Sequence, residues 1–75
     1  MKMQLKAVFL IVAGRLGVLP EECVVVEDAY AGLEGAKSAG MKALGLGDPD
    51  ILTNADVVYK DMTEVNLDKV MKLFE

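Results

Sequence analysis

The stretch Cys23-Val24-Val25-Val26-Glu27-Asp28-Ala29-Tyr30-Ala31-Gly32 decides the fold, because an apolar β-branched run ends in two adjacent carboxylates. An apolar run without polar alternation is typical of a strand in a parallel sheet that is covered on both faces. The small residues that follow predict a helix directly after this strand. We therefore expect a strand-helix unit with Glu27 and Asp28 at the carboxyl end of a fully buried strand.

The acidic pair Glu27 and Asp28 allows two interpretations. Side chains at the carboxyl ends of strands in open α/β sheets line the crevice where ligands bind. Adjacent carboxylates there suit a hard cation such as Mg²⁺, which prefers oxygen ligands. Alternatively, the two acids only end the strand and cap the helix, since Asp is common near helix starts. The spacing of the residues leaves both interpretations open.

Size and composition limit the classes of function. The 75 residues fit one small domain, which we place at 1–75. The formal net charge of −4 argues against binding to nucleic acid or to an anionic membrane surface, which needs clustered Lys and Arg. With no His and only Cys23, the chain can form neither a structural zinc site nor an internal disulfide. The 53% of hydrophobic residues indicates either a rich core or an apolar surface meant for another chain or a missing segment.

The beginning of the chain carries an apolar run at residues 7–13, preceded by Lys2 and Lys6. A basic start followed by a short apolar segment resembles a secretory signal peptide. The run is too short to cross a bilayer, which takes about 20 apolar residues. Arg15 directly after the run favours the alternative, a helix that covers a sheet and ends at Gly17. The predicted inward face of this helix consists of Leu5, Phe9, Val12 and Leu16.

Residues 30–75 predict a further alternation of helices and strands. We expect a turn around Pro20, a helix over 30–39 with Gly40 as its left-handed cap, and strands over 42–47 and 55–59. Asp48-Pro49-Asp50 predicts a capped turn, and Asn66 predicts the start of a closing helix. Glu34 and Lys37 are spaced for an ion pair on the outer face of the first of these helices. The core face of the closing helix is predicted to consist of Leu67, Val70, Met71 and Phe74.

This order of elements predicts an α/β fold. Its expected form is a partial Rossmann-like three-layer sandwich with a short, mainly parallel sheet of about three strands. The sequence contains no internal repeat, low-complexity tract or linker that would divide it.

Residues 15–28, Arg15-Leu16-Gly17-Val18-Leu19-Pro20-Glu21-Glu22-Cys23-Val24-Val25-Val26-Glu27-Asp28, resemble haloacid dehalogenase-like phosphatases and phosphomutases, especially the β-phosphoglucomutase-like branch. The resemblance extends from about Phe9 to the C-terminus. It implies a haloacid dehalogenase-like core in which Glu27 and Asp28 belong to the fourth conserved motif and help bind the catalytic Mg²⁺. It also implies a cytoplasmic enzyme that acts on a phosphorylated small molecule such as a sugar phosphate.

The departures from the family pattern are equally informative. The family's nucleophile is the first Asp of an Asp-x-Asp motif on an earlier strand, whereas Asp48-Pro49-Asp50 follows the second predicted strand. The family's Lys corresponds in register to Met3, and Lys2 is one residue away. The resemblance therefore implies the C-terminal portion of an enzyme, without the cap domain, the nucleophile strand or any catalytic residue. We expect no activity from this chain alone and weak or absent Mg²⁺ binding.

The strand at 24–26 predicts an interaction surface. In the family's sheet, the acid-bearing strand lies beside the nucleophile strand, so Val24 to Val26 would present unpaired backbone groups here. We expect self-association through this edge, or complementation by a chain that carries the missing half. An alternative function is therefore a small non-catalytic interaction or dimerisation module. A receiver-like phosphoacceptor is a third alternative, but it would need an acceptor Asp and a Lys at strand ends that the sequence does not place.

Overall fold

Three α-helices and three parallel strands make up residues 5–75, the part of the chain that the computed structural model describes. The elements are α1 (Leu5–Leu16), β1 (Val24–Glu27), α2 (Tyr30–Ser38), β2 (Lys42–Leu46), β3 (Val57–Tyr59) and α3 (Leu67–Met71). Short 3-10 turns lie at Pro20–Glu22, Met62–Glu64 and Lys72–Phe74. The position that corresponds to the family's Lys, Met3, and the neighbouring Lys2 lie outside the described residues.

The sheet has the strand order β1-β2-β3, and both pairings are parallel. Val25 pairs with Ala43, and Leu44 pairs with Val57. The predicted α/β fold with a short parallel sheet of three strands is therefore confirmed. The central strand is β2, whose residues Ala43 and Leu44 have no exposed surface.

The prediction of a fully buried first strand is wrong. Among the described residues, β1 pairs only with β2 and forms an edge of the sheet. Val26 is consequently 44% exposed, and Val24 and Val25 are half-buried. A run of β-branched residues therefore does not distinguish an apolar edge strand from a central one.

The hydrophobic core lies between α2 and the sheet. Leu33 and Ala36 of α2 have no exposed surface and face the sheet. Within residues 5–75, the other buried residues of this core are Ala13, Ala39, Met41, Ala43 and Leu52. α1 reaches this core through Ala13 and the half-buried Phe9, and packs mainly against α2.

Both long helices end in the predicted way, at a glycine with a left-handed backbone. Gly17 has φ 71°, and Val18 N–H donates to the Ala13 carbonyl at 3.1 Å. Gly40 has φ 81°, and Met41 N–H donates to the Ala36 carbonyl at 3.0 Å. These hydrogen bonds satisfy carbonyls of the last helical turn, which would otherwise lack partners.

The predicted inward face of α1 is only partly correct. Phe9 packs against the core, but Val12 is 49% exposed and Leu16 is 71% exposed. Leu5 is also exposed, and Ala13 is the residue of α1 that the fold buries. Because α1 packs mainly against α2, and an open groove separates it from β1, its apolar stripe is covered along one side only.

The predicted cap of the closing helix is confirmed, whereas its predicted core face is wrong except at Val70, which is half-buried. The Asn66 side chain accepts a hydrogen bond from Lys69 N–H at 2.9 Å. However, Leu67 is 73% exposed, Met71 is 57% exposed and Phe74 is 37% exposed. α3 has only five residues and packs mainly against the 3-10 turn that follows it, so these side chains have little of the fold to pack on.

Candidate metal site at the end of β1

Glu27 and Asp28 lie where the sequence predicts them, at the carboxyl end of β1. Glu27 is the last residue of the strand and pairs in register with Gly45 of β2. α2 starts two residues after Asp28, at Tyr30. The pair therefore lies at the carboxyl ends of the strands, which is where ligands bind in open α/β folds. Cation binding by these residues stays a prediction.

The Glu27 carboxylate is turned back over the start of α2. Its Oε1 atom accepts hydrogen bonds from Asp28 N–H at 2.9 Å and from Ala29 N–H at 3.1 Å. Amides at a helix start lack partners within the helix, and the local field there favours negative charge. The side chain of the N-cap residue Ala29 offers no acceptor. Glu27 therefore serves this helix start as the capping interpretation predicts.

Asp28 differs from its neighbour in exposure and in partners. The residue is exposed, and within residues 5–75 its carboxylate forms no hydrogen bond or ion pair with another side chain or amide. Only its N–H is engaged, with Glu27. Of the two acids, Asp28 is therefore the one whose oxygens are available to a cation.

The donor set fits Mg²⁺ in kind but not in number. Carboxylate oxygens are the ligands that this ion prefers, and Mg²⁺ commonly keeps several waters beside one or two carboxylates. Residues 5–75 contain no group of three or more Asp, Glu, Cys or His side chains that could hold a metal ion. Glu27 and Asp28 can therefore supply part of a coordination shell, and water or groups outside the described residues would supply the rest.

Asp48 and Asp50 form the predicted capped turn. Asp48 Oδ1 accepts a hydrogen bond from Asp50 N–H at 2.8 Å. The Asp48 carbonyl accepts from Leu52 N–H at 2.9 Å. The Asp48 carboxylate thus holds the turn after β2.

The sequence did not predict the ion pair between α2 and the segment before β3. Lys37 Nζ lies 2.7 Å from Asp56 Oδ1, and Asp56 Oδ2 accepts from Ala43 N–H at 2.7 Å. Partial burial alone would raise the pKa of Asp56, but the hydrogen bonds from Lys37 and Ala43 and the charges of Lys37 and Lys42 hold it below its usual value.

The predicted pair of Glu34 with Lys37 does not form. Glu34 Oε1 instead accepts from Asn54 Nδ2 at 3.0 Å, and the same amide group donates to the Tyr30 carbonyl at 3.2 Å. Lys37 is drawn to Asp56, whose second oxygen is already fixed on the sheet. Both partners are about twenty residues away in sequence, so helical spacing gave no signal for them.

An open apolar groove of about 260 Å³ lies between α1 and β1. Its walls include Phe9, Val12 and Leu16 from α1, and Val24 and Val25 from β1. The groove thus adjoins the edge strand that carries the acidic pair.

No helix within residues 5–75 has the length and apolar character needed to cross a membrane.

Comparison with known proteins relates the chain to enzymes of phosphate chemistry. It is 37% identical over 68 residues to the β-phosphoglucomutase of Bacillus subtilis, which is 91% of this chain and 30% of that protein. It is 47% identical over 53 residues to the validoxylamine A 7'-phosphate phosphatase of Streptomyces hygroscopicus subsp. limoneus, which is 67% of this chain and 25% of the relative. No protein-family profile matches the chain.

The fold comparison agrees with the sequence comparison. The crystal structure of β-phosphoglucomutase from Clostridium difficile superposes with a TM-score of 0.87 and 29% identity, over 92% of this chain and 31% of that one. The chain therefore spans about a third or less of the length of the proteins that it matches.

Proposed function

We propose a function on the premise that the chain has the fold of the haloacid dehalogenase-like superfamily and resembles its β-phosphoglucomutase-like phosphatases and phosphomutases over part of their length. In this proposal, Glu27 and Asp28 supply the acidic part of a Mg²⁺ site for phosphoryl transfer. The observation that carries the proposal is their position. Glu27 ends a parallel strand and Asp28 follows it, at the end of the sheet where open α/β folds bind ligands, and within residues 5–75 the Asp28 carboxylate has no partner.

The two acids have different tasks in this proposal. Asp28 holds the cation directly, because its carboxylate is exposed and is not engaged with the described residues. Glu27 fixes the backbone of Asp28 and the start of α2 through two N–H groups, and its remaining oxygen can hold a water of the cation's shell. A bound Mg²⁺ would neutralise and orient the phosphoryl group of a substrate.

We propose a phosphorylated small molecule, such as a sugar phosphate, as the substrate of the complete active site. The support is the names of the relatives, a β-phosphoglucomutase and a validoxylamine A 7'-phosphate phosphatase. The other parts of the site, a nucleophilic Asp above all, would come from outside these 75 residues. Within the described residues, the only Asp-x-Asp sequence lies in the turn after β2, where the Asp48 carboxylate accepts an N–H.

Calorimetric titration with Mg²⁺ tests the metal site. We expect weak binding by the wild-type chain, and a dissociation constant raised about tenfold by Asp28→Ala, which equals roughly 1.4 kcal/mol. Glu21→Ala is the matched control, because it removes one exposed acidic charge before β1, at the opposite end of the strand. Equal dissociation constants for the wild type and Asp28→Ala would contradict the proposal.

A second candidate function is an interaction module that uses the open edge of β1. Val26 is 44% exposed on this strand, and Ile11 and Leu16 of α1 are 47% and 71% exposed. An edge strand without Pro or Lys is a template for pairing with another chain. We propose either self-association or complementation by a chain that carries the neighbouring strand.

Sedimentation velocity over a wide range of concentrations tests this second function. We expect the sedimentation coefficient to rise with concentration for the wild type. Val26→Lys places a charge on the exposed edge and should keep the chain monomeric. A wild-type monomer at every concentration would exclude self-association.

A further inference from the structure

Gly32 of α2 is enclosed by the side chain of Glu27. A methyl group built at Gly32 would overlap the Cγ, Cδ and Oε2 atoms of Glu27, with Cδ only 2.5 Å away. These are the three nearest atoms to that position. Gly32 lies inside a regular helix and has no positive φ, so its backbone does not require glycine. The space beside Gly32 is instead occupied by the carboxylate side chain of Glu27, which would have to move to admit a methyl group.

The other helical glycines have different surroundings. A methyl group at Gly14 of α1 would meet nothing within 4 Å, and one at Gly35 would meet Leu5 and Phe9 of α1. Glycine is among the least favourable residues for a helix interior, so a helix gains from alanine wherever the space permits. The contact with the acid at the end of β1 is therefore a property of Gly32 in particular.

We infer that Gly32 is a positioning residue for Glu27. The absence of a side chain at Gly32 lets the Glu27 carboxylate lie against the first turn of α2 and accept the N–H groups of Asp28 and Ala29. A larger residue would displace the carboxylate and release both amides. The inference deepens the proposed metal site, and its consequence for cation binding rests on that proposal, because the Asp28 backbone is fixed by the same carboxylate.

A thermal-unfolding cycle followed by circular dichroism tests the inference without any metal. We expect Gly32→Ala to lower the unfolding midpoint of the wild-type chain, because Glu27 must leave its position. In the Glu27→Ala background, the same substitution should leave the midpoint unchanged or raise it. An equal decrease in both backgrounds would overturn the inference, because it would show that Gly32 serves only the packing of α2 on the sheet.

The cycle stays informative if Gly32→Ala does not fold. Folding of the double variant Glu27→Ala/Gly32→Ala would then be a rescue, and it would support the inference. A double variant that also fails to fold, beside a folded Glu27→Ala, would overturn it. Gly14→Ala is the control for adding a methyl group to a helix, and it should not lower the midpoint in either background.

Amide resonances provide the readout that a packing role alone would not change. In ¹H–¹⁵N spectra, the Asp28 and Ala29 signals of Gly32→Ala should move from their wild-type positions towards those of Glu27→Ala. Gly14→Ala should leave both signals in place. Unmoved signals in Gly32→Ala would overturn the inference. Because neither experiment measures cation binding, a failure of the metal site in the Mg²⁺ titration is a separate result.

Discussion

The Lys37 ammonium lies 2.7 Å from Oδ1 of Asp56, and the other oxygen of the same carboxylate accepts the N–H of Ala43 at 2.7 Å. One side chain thus joins α2, the central strand β2 and the segment that leads into β3. Asp56 N–H also donates to the Ala43 carbonyl at 2.8 Å. The carboxylate therefore fixes the place where β3 joins the sheet.

Removal of the Asp56 carboxylate should lower the unfolding free energy more than removal of the Lys37 ammonium. Asp56→Ala leaves the N–H of the fully buried Ala43 without a partner, which we expect to cost about 1–3 kcal/mol of unfolding free energy. Lys37→Met removes only a partly exposed ion pair, so we expect a cost of about 0–1 kcal/mol. Urea unfolding measures both, with Lys60→Met as an exposed control. A larger effect for Lys37→Met than for Asp56→Ala would contradict this ranking.

The lowered pKa of Asp56 predicts a loss of stability in acid. A carboxyl whose pKa is lower in the folded than in the unfolded state stabilises the fold above the unfolded value, here 3.8, and loses this effect as the pH falls through the folded value. We expect the wild-type unfolding free energy to decrease below about pH 4. In Asp56→Asn the decrease should be smaller. Urea unfolding between neutral pH and pH 3 tests this, and parallel curves for the two proteins would refute it.

The Asp61 carboxylate should add to the same acid dependence. It accepts hydrogen bonds from the Thr63 side chain and from Thr63 N–H, and these lower its pKa. We expect Asp61→Asn, like Asp56→Asn, to reduce the loss of stability in acid. The contribution of Asp61 arises in the exposed turn at Met62–Glu64, whereas that of Asp56 arises at the sheet.

Local features of the fold followed from the sequence, because they depend on one or two residues. Gly17 and Gly40 end helices since they adopt positive φ at no steric cost, and Asn66 starts one through its own side chain. The end of β1 was predicted for the same reason, as the point where the apolar run stops at Glu27.

The features that sequence reasoning missed depend on distant parts of the chain. Helical spacing shows that Leu67 and Met71 share a face, but not whether another element covers that face. The apolar run of β1 alone predicted a buried strand, because valines are equally apolar at an edge or in the centre of a sheet; only the family resemblance, which places a missing strand beside it, indicated the open edge. Capping by Glu27 was one of two interpretations of the acidic pair, but the space beside Gly32 that admits its carboxylate is a feature that no spacing rule gives.

Gly35 is the glycine of α2 whose lack of a side chain allows α1 to pack closely against α2. A methyl group there would lie 2.6 Å from Leu5 Cβ and 3.1 Å from Phe9 Cε2. Because Leu5 Cβ is fixed close to the backbone of α1, the helices would have to move apart, and we expect Gly35→Ala to cost about 1–3 kcal/mol. Gly14→Ala, which meets nothing within 4 Å, should be neutral or stabilising by up to about 1 kcal/mol. Denaturant unfolding of the two variants under the same conditions tests the contrast, and equal effects would show that α1 adapts without cost.

The isolated chain should not turn over a phosphate ester. Hydrolysis through a covalent intermediate needs an activated nucleophile, and in residues 5–75 the Asp48 carboxylate of the single Asp-x-Asp sequence is engaged in its own turn. We expect p-nitrophenyl phosphate and β-glucose 1-phosphate to be hydrolysed no faster than in buffer with Mg²⁺. Preparations of Asp28→Ala and Glu21→Ala purified in the same way control for contaminating phosphatases. Turnover by the wild type and Glu21→Ala that is lost in Asp28→Ala would show that the 75 residues form a working site, because a contaminant would not respond to one carboxylate of this chain.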